Sequence, residues 1–300
     1  MMFQKYENIN DVEAEFIPHL EKLMANKIPS FDFLISAEKK AQGEAIYYLL
    51  FGDRDNAPKG FIKGEIEVKK RMLLRSRKQM NWSGLKQNAF IIDPKFIKEF
   101  KNNFNKIKKI TAQDYKVNHQ FIIAPKELEQ DNTIISQIEY IDTLFKGHQS
   151  YQDYLASLNT NIQKQIKKNF SSFKDLTINQ YNSIKECFSY KKESTDDYKK
   201  LKKTLPIKVL ESHECAVMAI ESNNRVLGFS LLVFGQNNHS FFVFKNLSGL
   251  VDELLLVQMS IMLFYEFEKS HYLHSLEPIE STALFSQSGF SSSLETKYRA

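Results

Sequence analysis

His274 and Glu277 stand three residues apart in His271-Tyr272-Leu273-His274-Ser275-Leu276-Glu277-Pro278, downstream of Lys245-Asn246-Leu247-Ser248-Gly249. A carboxylate or an imidazole can take the proton of an amine that attacks an activated carbonyl. An ammonium such as Lys245, a phenol such as Tyr298, or the backbone N–H groups at Ser248-Gly249 can donate to the oxyanion that forms. Beyond positioning, amide formation from an activated ester needs little else. Glu277 is the expected proton acceptor, with His274 beside it. The series His271, His274, Glu277, Glu280 also carries metal-ligand residue types, which a helix would gather on one face. Tyr272, Leu273 and Leu276 before Pro278 read instead as a short strand, so no metal site is expected.

The elements that must position these groups lie between Glu214 and Phe290. Cys215–Ile220, Arg225–Phe234 and Ser240–Phe244 read as adjacent apolar strands. An apolar helix is expected over Glu253–Glu268, then a short strand, then a small-residue turn ending in Gly289-Phe290. Upstream, Ser150 is a candidate cap for one helix over Tyr151–Phe170, where Tyr151, Tyr154, Leu155, Leu158, Ile162, Ile166 and Phe170 form a stripe. Leu176–Gln180 reads as a strand, and Asn182–Thr204 as a lysine-rich helix stopped by Pro206.

The first half repeats this order loosely. Helices are expected over Asp11–Met24 and from Pro29-Ser30-Phe31 to Lys40. Ala45–Phe51 and Phe61–Lys69 form a hairpin around a Gly/Asp/Pro turn, a strand covers Ala89–Ile92, and Asp93-Pro94 opens a helix to about Ile107. Phe121–Ala124 and Ile134–Tyr140 are further strands. Ser-Gly-Leu follows each hairpin, at 83–85 and at 248–250, and each precedes a long helix. The repeated order points to tandem duplication of one α/β domain, with a boundary at 149/150.

Composition fits a folded, soluble protein. The 300 residues are 42% hydrophobic and 13% aromatic, with 10 Gly and 7 Pro. Cys187 and Cys215 support neither a disulfide framework nor a cysteine zinc site, which suits a reducing cytoplasm. The N-terminal residues lack a signal-peptide pattern, and the longest apolar run, Leu254–Phe264, is too short to span a bilayer. The net charge of +5 is unevenly spread: residues 59–116 carry sixteen Lys and Arg against five Asp and Glu. Segments 69–78 and 164–168 are the candidate contacts for a phosphate-rich partner, unless their lysines only solvate the surface. Neither a P-loop nor a G-x-G-x-x-G nor a G-x-S-x-G pattern occurs.

The element order of the C-terminal half resembles the GNAT acyltransferase superfamily, and Ser281–Phe290 is similar to that family's closing helix ending in Gly-Phe. Tyr154-Leu155-Ala156-Ser157-Leu158 followed by a basic helix resembles the FemAB-like branch, in which the domain is doubled. The resemblance implies an α/β (α+β) fold of two tandem GNAT-like domains, each a mixed, mostly antiparallel sheet flanked by helices. Residues 1–149 would be a degenerate N-terminal domain and 150–300 the C-terminal one. It further implies an acyl or aminoacyl transferase acting on a small-molecule or peptide amine, with acyl-coenzyme A or aminoacyl-tRNA as donor. The tRNA would use the basic segments. Catalytic roles fall to Glu277, His274 and Tyr298, and donor binding to Lys245, Asn246, Ser248, Gly249, Lys164 and Lys168. The chain departs from the ordinary pattern in two places. Asn246–Glu253, with one glycine and two acids, stands where the family's coenzyme A pyrophosphate turn belongs, and Phe285 stands where many members place a proton-donating Tyr. These departures point away from coenzyme A. A coenzyme A-dependent N-acyltransferase and a non-catalytic binding protein are the alternatives.

Overall fold

The computed structural model describes residues 2–25, 27–39, 44–53, 56–71, 74–82, 90–117, 119–125, 134–141, 143–171, 176–189, 191, 194–277, 279–280, 285 and 288–299. In chain order the elements are β1 (Met2–Tyr6), α1 (Ile17–Met24), α2 (Phe31–Glu38), β2 (Glu44–Phe51), β3 (Pro58–Arg71), β4 (Leu74–Trp82), β5 (Phe90–Ile92), α3 (Ile97–Tyr115), β6 (His119–Pro125) and β7 (Ile134–Ile141). There follow β8 (Thr143–Phe145), α4 (Tyr151–Ser157), α5 (Thr160–Ser171), β9 (Thr177–Tyr181), α6 (Ile184–Phe188), α7 (Thr195–Thr204), α8 (Ile207–Leu210) and β10 (Cys215–Ser222). The last are β11 (Arg225–Phe234), β12 (His239–Asn246), α9 (Glu253–Phe267), β13 (Tyr272–Ser275) and β14 (Ser292–Arg299).

The chain forms two compact units, one of Met1–Met24, Ala41–Tyr140 and Ser293–Ala300, the other of Ala25–Lys40 and Ile141–Ser292. Two segments lie with the unit that is distant from them in sequence. Residues 293–300 join the first unit because β14 hydrogen-bonds antiparallel to β6, with Tyr298 opposite Ile122. Residues 25–40 join the second because α2 packs on α8.

The first unit holds an eight-stranded sheet in the order β1-β2-β3-β4-β6-β14-β7, with β5 paired to β3. One face carries Ile46, Tyr48, Leu50, Ile62, Ile66, Met80 and Trp82, and α3 lays Phe100, Phe104 and Ile107 against it. Two buried polar side chains of this core are paired: Trp82 Nε1 donates to Gln120 Oε1 at 2.8 Å, and the Tyr48 hydroxyl meets Thr111 Oγ1 at 2.7 Å. The basic segment 69–78 lies on the β3–β4 hairpin, with Lys69 opposite Arg77. The side chains of 69–77 lie outside the described residues, as does Ser83-Gly84-Leu85.

The second unit holds a six-stranded sheet in the order β8-β13-β12-β11-β10-β9, in which β12–β13 alone is a parallel pair. One face packs on α9, which is buried on all sides from Leu254 to Tyr265 apart from Met262. That is what a helix apolar all round must do, and α4 and α5 cover its far side. On the other face α6 packs on β10 and β11, with Phe188 edge-on to Phe229 at 6.1 Å. At the rim of that face Glu221, 7% exposed, accepts from Tyr181 at 2.6 Å and Asn179 at 2.9 Å and pairs with Lys191.

Several expected spans differ. The helix expected over 151–170 is two, because Leu158 is extended and Asn159 caps a new start, its Oδ1 accepting from Asn161 N at 2.9 Å. Segment 182–204 divides into α6 and α7, and Pro206 opens the short α8 beyond it. Residues 11–16 are not α-helical; a single 3-10 turn at Ile9–Asp11 precedes α1. β1 escapes any period-2 reading because Met2-Phe3-Gln4-Lys5-Tyr6 sets two apolar residues before two polar ones rather than alternating them.

Candidate acyl-transfer site

β12 and β13 run parallel from His239 opposite Tyr272 to Phe242 opposite Ser275. One more bond follows, Leu276 N to Phe242 O at 2.8 Å. Then the strands part. β12 continues to Asn246 along β11, while Ser275 Oγ donates to Glu277 O at 2.6 Å and accepts from Glu277 N, turning the chain away. The opening between them has Val243–Asn246 on one side and Glu277 on the other.

Lys245 bridges this opening. Its Nζ donates to both Glu277 carboxylate oxygens, at 2.6 and 2.5 Å, and the two side chains are 27% and 25% exposed. Register places Lys245 opposite Phe229, so it projects from the face that looks away from α9. Gly228 permits the neighbouring strand to pass this close. An added Cβ there would stand 3.1 Å from the Lys245 carbonyl and 3.2 Å from Leu256.

The loop from Asn246 to Asp252 is closed by its own side chains. Asn246 Oδ1 accepts from Gly249 N at 2.9 Å, and its Nδ2 donates to Val251 O. Ser248 Oγ accepts from Leu250 N, and Asp252, the N-cap of α9, from Leu254 N at 2.8 Å. Leu247 N and Ser248 N both donate to Leu227 O. A coenzyme A pyrophosphate at this place needs unengaged backbone donors and a helix start free of acids. These residues do not fit that group: the named N–H groups are taken, and Asp252 and Glu253 place two carboxylates there. The N–H groups of Ser248 and Gly249 are likewise engaged, by Leu227 O and Asn246 Oδ1. Gly249 itself, at φ +70, has open space where a Cβ would be.

His274 belongs to a different constellation. Its Nδ1 meets Thr143 Oγ1 at 3.0 Å and its Nε2 meets His239 Nδ1 at 2.7 Å, linking β8, β13 and β12. Burial, then His239 and Lys27, hold its pKa down at about 3. A ring so placed is neutral and committed on both nitrogens, so the opening is left to Glu277. The segment is a strand only over Tyr272–Ser275, so the helical face that would gather 271, 274 and 277 does not form. Nothing local in the sequence marks His239 or Thr143 as partners; only the strand register brings them together.

Lys164 and Lys168 lie exposed on α5. One residue beyond Lys168, Asn169 Nδ2 donates to Asp252 Oδ2 at 2.9 Å, which ties the basic end of α5 to the start of α9. Tyr298 lies on β14 in the first unit's sheet; its side chain lies outside the described residues. Phe285 is 6% exposed in the core beside α9, and Phe290 packs on Phe242 at 5.9 Å. Ser281–Leu284 and Ser286-Gln287, the rest of that closing motif, lie outside the described residues.

No protein-family model and no curated protein sequence matches the chain. Solved structures do. FemX aligns over 100% of this chain and 98% of its own at 10% identity, with a TM-score of 0.57. A tandem GNAT protein from the clavulanic acid biosynthesis pathway, without acetyl-coenzyme A, aligns over 99% and 98% at 10% identity and a TM-score of 0.54. The C-terminal domain of a putative lysylphosphatidylglycerol synthetase from Agrobacterium fabrum aligns over 95% and 92%, at 9% identity and a TM-score of 0.50. At such identities the likeness is one of fold. The chain shares its α/β fold along its length with FemX and with the tandem GNAT protein.

Proposed function

We propose that the chain transfers an acyl group, and by preference an aminoacyl group from aminoacyl-tRNA, onto an amine at the opening between β12 and β13. The Lys245–Glu277 pair carries this reading, because it places a carboxylate and an ammonium at the parting of the strands. The acceptor amine displaces Lys245 from Glu277, which takes the amine's proton as the nitrogen attacks the ester carbonyl. The freed Lys245 ammonium then donates to the tetrahedral oxyanion. The closed loop 246–252 supports a donor other than coenzyme A, and exposed Lys164 and Lys168 beside the start of α9 suit phosphates of an RNA. Segment 69–78 is a further candidate RNA contact, and the acceptor is a small-molecule or peptide amine. No helix among the described residues is long and apolar enough to cross a membrane, and we place the activity in the cytoplasm. Tandem halves meeting near 149/150 remain our reading of the chain's origin by duplication.

The test pairs binding with turnover. A tRNA fraction at a hundredfold over its dissociation constant is expected to stabilise the protein by roughly 2.7 kcal/mol, with no shift from acetyl-coenzyme A. Glu277→Gln is expected to abolish transfer while leaving the melting temperature within a few degrees of the parent. A shift with acetyl-coenzyme A alone would overturn the donor assignment, and full transfer by Glu277→Gln the catalytic one.

A further inference from the structure

From the seating of its Nζ on both oxygens of Glu277, we infer that Lys245 is itself an acyl acceptor, so that the protein N-acylates its own side chain when no external amine fills the opening. The inference rests on the reading of the site given above. Lys245 already stands where an incoming amine has to stand, in contact with the group proposed to take its proton. Two other carboxylate-paired lysines of this unit differ: Lys191 is held at the β9–β10 rim by Glu221, and Lys269 pairs with Glu214. About a quarter of the Lys245 side chain is exposed, so an ester can reach its Nζ from solvent.

The step balances without an added reductant or oxidant. The Lys245 ammonium gives one proton to Glu277 and becomes a free amine. Its lone pair forms the N–C bond as the ester C–O bond (or thioester C–S bond) of the donor breaks. The second nitrogen proton leaves with the alcohol or thiol, and Glu277 returns its proton to solvent. The product is a neutral amide at Lys245, which no longer pairs with Glu277. Acylation therefore both removes the positive charge at the opening and exposes the carboxylate.

The experiment incubates the full chain with acetyl-coenzyme A in one arm and a mixed aminoacyl-tRNA pool in another. Each arm is run with and without a mixture of free amines (a lysine-bearing peptide, a glycyl peptide and a polyamine), and Lys245 labelling is read in the amine-free reactions. Peptide mapping by mass spectrometry follows Lys245 against Lys200 and Lys203, exposed on α7, which report uncatalysed acylation. In at least one arm Lys245 is expected to exceed those lysines by about a hundredfold, and Glu277→Gln to lose most of that excess. Lys245→Arg should show no added mass on that peptide. Thermal melts of both variants exclude unfolding as the reason. Labelling of Lys245 no greater than that of Lys200 and Lys203 overturns the inference. If a free amine is acylated at the same time, the proposed function stands without it; if no amine is acylated in either arm, both fall.

Discussion

The Tyr154 hydroxyl donates to the Ser288 carbonyl at 2.8 Å, and so fastens the first turn of α4 to the bend that precedes Gly289-Phe290. The two residues are 134 apart in sequence. Tyr154 also stacks on Tyr265 of α9, with ring centroids 5.6 Å apart, so one side chain joins three segments of the second unit. Tyr154→Phe keeps the ring and removes the hydrogen bond. A loss of about 1 kcal/mol in unfolding free energy is expected, the net contribution of one intramolecular hydrogen bond. Denaturant titration of the two proteins measures it, and a loss under a few tenths of a kcal/mol would show that the bond contributes nothing.

His274 makes stability depend on pH in a defined window. Burial is the main cause of its depressed value of about 3, and His239 and Lys27 add to it. Thr143 Oγ1 and the His239 ring face it across the sheet. The unfolded chain, with an ordinary His near 6.5, binds a proton that the folded chain refuses. Stability from this group is therefore complete above about pH 6.5 and falls, by up to about 1.4 kcal/mol per pH unit, as pH drops toward 3. Chemical denaturation at pH 7.5, 6 and 5 should show the decline, and His274→Asn should flatten it relative to the parent. An equal decline in both would assign the effect to carboxylates.

Glu221 and Lys191 form an ion pair with little water around it, their side chains 9% and 12% exposed. Breaking one partner of such a pair costs more than the pair itself contributes. Glu221→Gln is expected to lose about 3 kcal/mol, and the double variant Glu221→Leu with Lys191→Met clearly less. A double variant that loses the sum of the single losses would show the two side chains to be uncoupled.

Both cysteines should be poor nucleophiles. Burial pushes the Cys187 thiol up to about 12 and Cys215 up to about 11, with nearby carboxylates adding to the Cys215 shift. At pH 8 a thiol-disulfide reagent is expected to label native protein far more slowly than protein in guanidinium, where both react at the free-thiol rate. Fast native labelling at Cys187 would contradict its burial.

The second unit was the more legible half in sequence, and the reasons are local. β10, β11 and β12 declare themselves through unbroken apolar runs such as Ala216–Ile220, and α9 through its length. Lys245 and Glu277 could be named as candidates from residue type alone. That they meet could not, because the meeting depends on the parallel register of β12 and β13 and on the Ser275 turn, neither of which has a periodic signal. Asn159 was decisive and easily overlooked: the stripe through Tyr151 and Phe170 is continuous, yet a single capping side chain divides it. His274 shows the opposite limit of scale. Its residue type suggested proton transfer, and no local pattern announces that Thr143, 131 positions away, meets one of its nitrogens.

Because β14 completes the sheet of the first unit, biosynthesis cannot finish that sheet in the order in which it begins it. Strands β1 to β7 leave the ribosome by residue 141, but the place between β6 and β7 stays vacant until residues 292–299 are made. At roughly 5–20 residues per second, that interval of about 150 residues is some 7–30 s with two strand edges exposed. Nascent chains arrested before residue 292 should accordingly recruit holding chaperones and resist protease poorly in their first 141 residues, even after the second unit has compacted.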